Sequence, residues 1–406
     1  MNKPELVLPA GNLEKLKTAF TYGADAVYIG GKEYSLRAYA GNFTLEEMQK
    51  GLELAQNFNK KIYVAVNLVA HNQDLTNLPG YLEKLQEMQV NGIIISDLGV
   101  LRLAQKYAPL IPKTISTQAN VTNYETACVY KDLGATRIVL AREVTMDDMQ
   151  EIKAKTALDL EVFVHGAMCV SYSGRCLISH YMTGRSANRG ACAHPCRYKY
   201  QLVEEKRPGD YYPIEEDEKG TYILNSRDLC LIEYIPKLIE SGIDAFKVEG
   251  RMKSPLYIAS VASTYRDAID TYLKTPTDYS AQDLARWWEE LNKTATRPFT
   301  NGFIEGESSV LQDINNEKAP GRTDFSAIVL GYLPEGLIKV EQRSNFGPGD
   351  QLEFLLPSGE VKPVTIDKLW DEDRNEIERA RHPKQIVLFA TDEIVPEFTM
   401  LRRYGV

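Results

Sequence analysis

Short apolar runs alternate with stretches of helical period through roughly the first 250 positions. Glu5–Leu8, Ala26–Ile29, Lys61–Asn67, Gly92–Asp97, Thr114–Ala119, Arg137–Ala141, Leu160–His165 and Ala245–Glu249 read as eight strands. Their interiors are apolar at consecutive positions, the pattern of parallel strands covered on both faces. Four segments share one phrasing: GADAVYIG, NGIIISD, GATRIVLA and GIDAFKVEG. Each places Gly or Asn-Gly at a helix end, where a left-handed C′ residue is cheapest as glycine. A buried strand follows and ends in polar residues or Gly. Eight such units within about 270 residues predict an α/β fold, a (β/α)8 TIM-like barrel rather than a doubly wound sheet. No G-x-G-x-x-G follows the first strand, so a dinucleotide site has no support.

After Pro255 a helical pattern runs to about Leu273, breaks at Pro276–Tyr279 and resumes through Trp287 and Trp288. From about Asp324 the period changes to two. Ala327–Tyr332, Leu337–Glu341, Gln351–Leu355, Glu360–Ile366 and Gln385–Phe389 read as strands of a small C-terminal antiparallel β-barrel. The expected organisation is a barrel over 1–275, a helical, turn-rich connector over 276–320 and the small β-barrel over 321–406. Within the first domain, Val203–Tyr222 is acidic and rich in turn residues, a surface excursion or hairpin. Asn225–Asp228 is expected to cap a helix from about Leu229.

With 406 residues, 44% hydrophobic, the chain can bury one large core and a smaller one. A net charge of −9 argues against a generally basic nucleic-acid binder, although a local basic patch remains compatible with it. No apolar run approaches the roughly 18 residues of a membrane span. Met1-Asn2-Lys3 leads directly into a strand-like run, so the expectation is a cytoplasmic protein with reduced cysteines.

Cysteine usage changes the picture. Four of the six cysteines, Cys169, Cys176, Cys192 and Cys196, fall between Glu161 and Tyr200 with the spacing C-x6-C-x15-C-x3-C. They follow the Leu160–His165 strand, at the end of an α/β unit where chemistry collects. Four thiolates can close a zinc site or hold an iron–sulfur cluster. Zinc ligands usually come in C-x2-C pairs, which tilts the reading to a [4Fe-4S] cluster with zinc as the alternative. Cys128 sits in a helical pattern and reads as core, while Cys230 could replace one of the four ligands. The radical-SAM spacing C-x3-C-x2-C is absent.

Polar residues at barrel strand C-termini face an active site. Here these are Asn67, Asp97, Gln118, Arg142, Glu143, His165, Glu249 and Arg251; each could instead cap the next helix. His165 could shuttle a proton, because imidazole titrates near neutrality, or donate to a cysteine sulfur or the backbone. Glu249 could hold Arg251 or act as a general base.

The stretch EVFVHGAMCVSYSGRC resembles the signature E-x-F-x-H-G-x-x-C-x-x-x-S-G-x-C of the collagenase-like peptidase U32 family. Glu161, Phe163, His165, Gly166, Cys169, Ser173, Gly174 and Cys176 match it. FKVEGRMKS is similar to the family's K-[IV]-E-G-R block, and LPAGNLEKLKTAFTYGADAVYIGG resembles its N-terminal block, so the resemblance spans essentially the whole chain. The family includes proteins for tRNA wobble-uridine hydroxylation, 23S rRNA cytidine hydroxylation and oxygen-independent ubiquinone hydroxylation. For this chain the resemblance implies tRNA 5-hydroxyuridine formation with prephenate as co-substrate and an iron–sulfur cluster. A U32-type peptidase, an rRNA hydroxylation factor and a subunit of a heterodimer with a paralogous family member are the alternatives. Prephenate is a dicarboxylate, and arginine supplies the permanent, bidentate charge such an anion needs. Arg37, Arg142, Arg175, Arg251 and Lys253 are therefore candidate substrate contacts with Asn67 and Gln118, while His165, Glu249 and Arg251 are the catalytic candidates. No Ser/His/Asp arrangement can be assigned and no H-E-x-x-H occurs, leaving a cysteine nucleophile beside His165 as the one route for a peptidase.

Overall fold

The computed structural model describes residues 2–35, 41–168, 178–183, 185, 193, 216–217, 220–221, 227–306, 323–333 and 336–404. The chain divides into two compact units. One comprises Met1–Leu16, Asp25–Met252 and Arg297–Lys318; the other comprises Lys17–Ala24, Lys253–Thr296 and Ala319–Val406.

The first unit is a closed barrel. Its strands are β1 (Glu5–Pro9), β2 (Ala26–Gly30), β3 (Lys61–Val66), β4 (Gly92–Ile95), β5 (Lys113–Ile115), β6 (Arg137–Val139) and β7 (Asp159–Ala167). A small hairpin, β8 (Glu216–Asp217) with β9 (Gly220–Thr221), and the short strand β10 (Asp228–Cys230) precede the last one, β11 (Ala245–Val248). Successive strands β1 to β7 pair in parallel, and β11 pairs in parallel with both β1 and β7, closing eight strands into a ring. Helices α1 (Leu13–Thr21), α2 (Leu45–Phe58), α3 (Leu78–Glu87), α4 (Leu98–Tyr107), α5 (Tyr124–Asp132) and α6 (Met146–Thr156) alternate with the strands, and a short α7 (Ile178–Thr183) follows β7. Local chemistry fixes their ends. Thr44 and Glu47 form a capping box at the start of α2, and Asn59 closes that helix in the left-handed region.

Two sequence expectations need correction in this unit. The strand read over Thr114–Ala119 stops at Ile115, and Thr117–Ala119 turns as 3-10 helix with Asn120 left-handed at φ 57°. Asp228 does not cap a helix. It begins β10, which runs antiparallel to β7 and parallel to β12 (Phe299–Thr300). The helix comes later, as α8 (Ile235–Glu240) after a 3-10 turn.

The second unit holds α9 (Pro255–Lys274), α10 (Ala281–Thr294) and a seven-stranded antiparallel sheet. Its strands are β13 (Thr323–Tyr332), β14 (Leu337–Gln342), β15 (Gln351–Leu355), β16 (Val361–Thr365), β17 (Trp370–Asp371), β18 (Ile386–Ala390) and β19 (Met400–Tyr404), in the order β16-β15-β19-β13-β14-β18-β17. The sheet gathers an apolar core around Val329, Val340, Phe346, Phe354, Phe389 and Leu401. β19 was not anticipated, because its Arg402 and Arg403 break the apolar alternation. Arg402 is nevertheless fully buried, bidentate to Glu290 at 2.6 and 2.7 Å and bonded through Nε to Glu353 at 2.7 Å. Tyr22 belongs to this unit too. Its hydroxyl donates to the Leu355 carbonyl at 2.7 Å and accepts from the Met400 N–H at 3.0 Å.

Candidate functional site

Barrel interiors are usually filled by branched aliphatic side chains. This one carries a column of charge instead. At its base the Arg137 guanidinium bridges Glu5 at 2.7 Å and Glu161 at 3.3 Å, and Tyr63 donates to Glu5. Burial alone would raise the Glu5 carboxyl; the Arg137 charge outweighs it and holds that carboxyl below the usual carboxylate range. One step up, Lys247 donates to Glu161 at 2.5 Å and lies over the Tyr28 ring at 4.2 Å. Small residues make the room: Val7, Ala26 and Ala245 are fully buried around this column.

Above it, at the C-terminal ends of the strands, lies a cavity of about 60 Å³. Asn67, Gln118, Glu249 and Arg251 line it, with Lys247 at its floor. Asn67 donates to Gln118 Oε1 at 3.1 Å, and the Ser116 hydroxyl shares the same acceptor in a short contact. Tyr28 donates to the Val248 carbonyl at 3.1 Å and toward Glu249 Oε2 at 3.4 Å. Arg142 stacks over Phe163 at 3.7 Å and approaches Glu249 at 3.9 Å. Arg251 is 3% exposed, with both terminal nitrogens 3.2 Å from Ser35 Oγ. Glycine clears its seat, since a Cβ on Gly30 would collide with the Arg251 guanidinium. Gly166, at φ 107°, performs the same service beside Glu249: a Cβ there would sit 2.5 Å from the Glu249 carbonyl.

Of the sequence candidates, Asn67, Gln118, Glu249 and Arg251 thus line one cavity, and Arg142 touches it through Glu249. His165 is 2% exposed, packs against Phe299 at 5.2 Å between ring centres, and its carbonyl accepts the Glu249 N–H at 2.9 Å. It pairs with Cys230 across β7 and β10. Asp97 turns out to be the N-cap of α4, accepting from Val100 N–H at 3.0 Å. Lys253 falls in the second unit, where it donates to Thr296 Oγ1 at 2.8 Å. Arg37, Arg175, Cys169, Cys176, Cys192 and Cys196 lie outside the described residues. Among the described residues no three His, Cys, Asp or Glu side chains converge to hold a metal ion. Nor is any helix among them long and apolar enough to cross a membrane.

Lys247, Tyr28 and Ser116 line the cavity without having been candidates from sequence, and so does Phe163, noted there only as a match to the family signature. A signal existed for Lys247. It stands two residues before Glu249 in an otherwise apolar strand, hence on the same face.

One arginine, Arg251, and one lysine, Lys247, line a space whose lining carboxylate is Glu249; Arg142 approaches that carboxylate at 3.9 Å, and Glu161 lies behind Lys247. Such a site suits a small anion that brings polar oxygens to the amides of Asn67 and Gln118.

Residues 11–313 match Peptidase family U32 and residues 321–402 match the Peptidase family U32 C-terminal domain. The chain is 43% identical over 403 residues to the tRNA hydroxylation protein P1 of Bacillus subtilis, covering 99% of this chain and 95% of that one. It is 35% identical to the tRNA hydroxylation protein P of Escherichia coli over 89% of this chain and 88% of the other. A protein named collagenase from Porphyromonas gingivalis is 34% identical over 76% of this chain and 75% of its own length. With its barrel and its C-terminal sheet both matched, the chain belongs to peptidase family U32.

Proposed function

We propose that this protein takes part in the hydroxylation of the wobble uridine of tRNA to 5-hydroxyuridine, an oxygen-independent reaction in the cytoplasm with prephenate as co-substrate. The observation that carries the reading is the 43% identity, across 99% of the chain, to a protein named for tRNA hydroxylation. The cavity supports an anionic co-substrate, because Arg251 and Lys247 line it and Arg142 approaches its Glu249 at 3.9 Å. In this reading Arg251 and Arg142 orient the co-substrate, Asn67 and Gln118 meet its oxygens, and Glu249 exchanges a proton with it. His165 holds the Glu249 backbone through its carbonyl.

Cys169, Cys176, Cys192 and Cys196 would hold a [4Fe-4S] cluster, which supplies one-electron chemistry when bound. Their chemistry fits, four thiolates being the common ligand set of such clusters. Of the described residues between them in sequence, Ser179 accepts the Ala193 N–H through its Oγ at 2.9 Å.

Nucleoside analysis of tRNA from a strain lacking the gene tests the function. 5-Hydroxyuridine should disappear, return with the wild-type gene, and stay absent with Arg251→Ala. Anaerobic purification tests the cluster, with about four iron and four sulfide per chain expected; one zinc and no iron would remove it from the reading. The relative named collagenase favours a second reading, a peptidase. Unchanged tRNA nucleosides together with cleavage of a collagen substrate would select it. Co-purification of a paralogous chain would add a heterodimeric partner.

A further inference from the structure

The charged column under the cavity has a use that its structural role does not explain. Lys247 is 4% exposed, and its ammonium has three N–H donors. One meets Glu161 Oε1 at 2.5 Å. The Tyr28 ring face, 4.2 Å away, takes the charge on a second side. No further hydrogen-bond partner for Lys247 is found among the described residues, and its side chain lines the cavity floor. Glu161 cannot turn away to serve another group, because its second oxygen is held by Arg137, itself anchored on Glu5. The column therefore fixes the ammonium in place instead of neutralising it by a mobile partner. A methionine or leucine would fill the same space at lower desolvation cost.

We propose that Lys247 is a specificity-determining ligand contact: its remaining N–H receives one carboxylate of a small dicarboxylate whose other carboxylate is held by Arg251 at the cavity mouth. Glu161 acts as the positioning residue for Lys247. The two cations lie four residues apart along one strand and its continuation, a rise of roughly 13 Å at most between their Cα atoms. Both side chains line the same cavity, so one bound molecule can meet both charges. A monocarboxylate can satisfy only one end. This inference deepens the proposed anionic co-substrate and rests on it for the choice of cavity.

The test is a binding panel on the full-length protein, read by calorimetry. Prephenate, malate and 2-oxoglutarate are compared with the monocarboxylates phenylpyruvate and pyruvate. Wild type is expected to prefer at least one dicarboxylate over the monocarboxylates. Lys247→Met should weaken that dicarboxylate by about 10- to 100-fold, the value of one charged hydrogen bond, and leave monocarboxylate binding within about threefold. Glu161→Gln should weaken it less, since the ammonium remains, and Lys247→Arg should restore part of the preference. Should Lys247→Met prove poorly folded, the Glu161→Gln and Lys247→Arg pair carries the comparison. A dicarboxylate preference that survives in Lys247→Met overturns the inference and leaves prephenate standing. Preference for a dicarboxylate other than prephenate, lost in Lys247→Met, supports the inference and removes prephenate. Wild type that binds none of the panel overturns the assignment of Lys247.

Discussion

Arg402 offers the sharpest test of how the second unit is held together. Its guanidinium is fully buried and makes three charge-assisted hydrogen bonds, two to Glu290 and one to Glu353. Each such bond is worth about 1.5–3 kcal/mol, a gross contribution of roughly 5–9 kcal/mol. Two effects reduce the loss on substitution. Lys293 stays 3.1 Å from Glu353, and the Glu290 and Glu353 side chains keep 11% and 19% of their surface open to water. Arg402→Met should therefore destabilise the unit by about 3–4 kcal/mol, near the lower part of the range for breaking a buried pair. The assay is convenient: the chain has three tryptophans, Trp287, Trp288 and Trp370, and all belong to this unit. Urea unfolding of the full chain followed by tryptophan fluorescence reads it directly. A double-mutant cycle with Glu290→Gln should return a coupling of about 2 kcal/mol or more. The pH dependence has a definite sign. Burial by itself would raise the Glu290 carboxyl, but the Arg402 hydrogen bonds outweigh it and hold its pKa low. The contribution is then complete above the unfolded carboxyl value of about 4.3 and is lost as pH falls through the folded one. A shift below about 1 kcal/mol at neutral pH would refute the reasoning, and so would a difference between variant and wild type that grows on acidification.

Other perturbations bear on the first unit. Gly30→Ala should displace the Arg251 guanidinium and cut tRNA hydroxylation in a complementation assay by more than about tenfold, with little change in secondary structure by circular dichroism. Gly166→Ala places a side chain against the Glu249 carbonyl at a left-handed position and should lower stability by about 1–3 kcal/mol, measured by thermal unfolding. Cys169→Ser should lower the iron bound after anaerobic purification, whereas Cys128→Ser should leave it unchanged. Glu5→Gln removes a carboxyl that Arg137 holds below its usual value, so the barrel should lose stability at neutral pH, and the deficit should shrink only as pH falls from the unfolded carboxyl value of about 4.3 through the lower folded one.

The barrel was legible because its signal is repeated. Each strand is a short, largely apolar run, four of them follow a Gly or Asn-Gly that ends a helix, and eight strand–helix units in a row leave few architectures. Errors came where one residue type serves two structures. Asp228 after Asn225 and Ser226 has the composition of a helix cap, yet it starts β10, whose pairing with β7 is set by strands far away in sequence. Thr114–Ala119 is β-rich in composition, but the chain turns at Ser116 so that Gln118 can reach Asn67. β19 was invisible because an arginine in a strand reads as exposed, and its partner Glu290 lies 112 residues earlier. For the site, Asn67, Gln118, Glu249 and Arg251 could be found by asking which polar residues end strands. That rule overlooked Lys247, which sits inside a strand, and also flagged Asp97, which caps a helix.

Tyr22 sets a schedule for the ribosome. Its hydroxyl is fastened to Leu355 and Met400, more than 330 positions away. At synthesis rates of about 5–20 residues per second, the segment around Tyr22 emerges tens of seconds before either partner exists. The strand on one side of that segment, β1, finds β2 within a few dozen residues, so the barrel can begin to assemble while Tyr22 still waits. A nascent chain stalled before Met400 should therefore be attacked by protease near Tyr22 and become resistant there only after release.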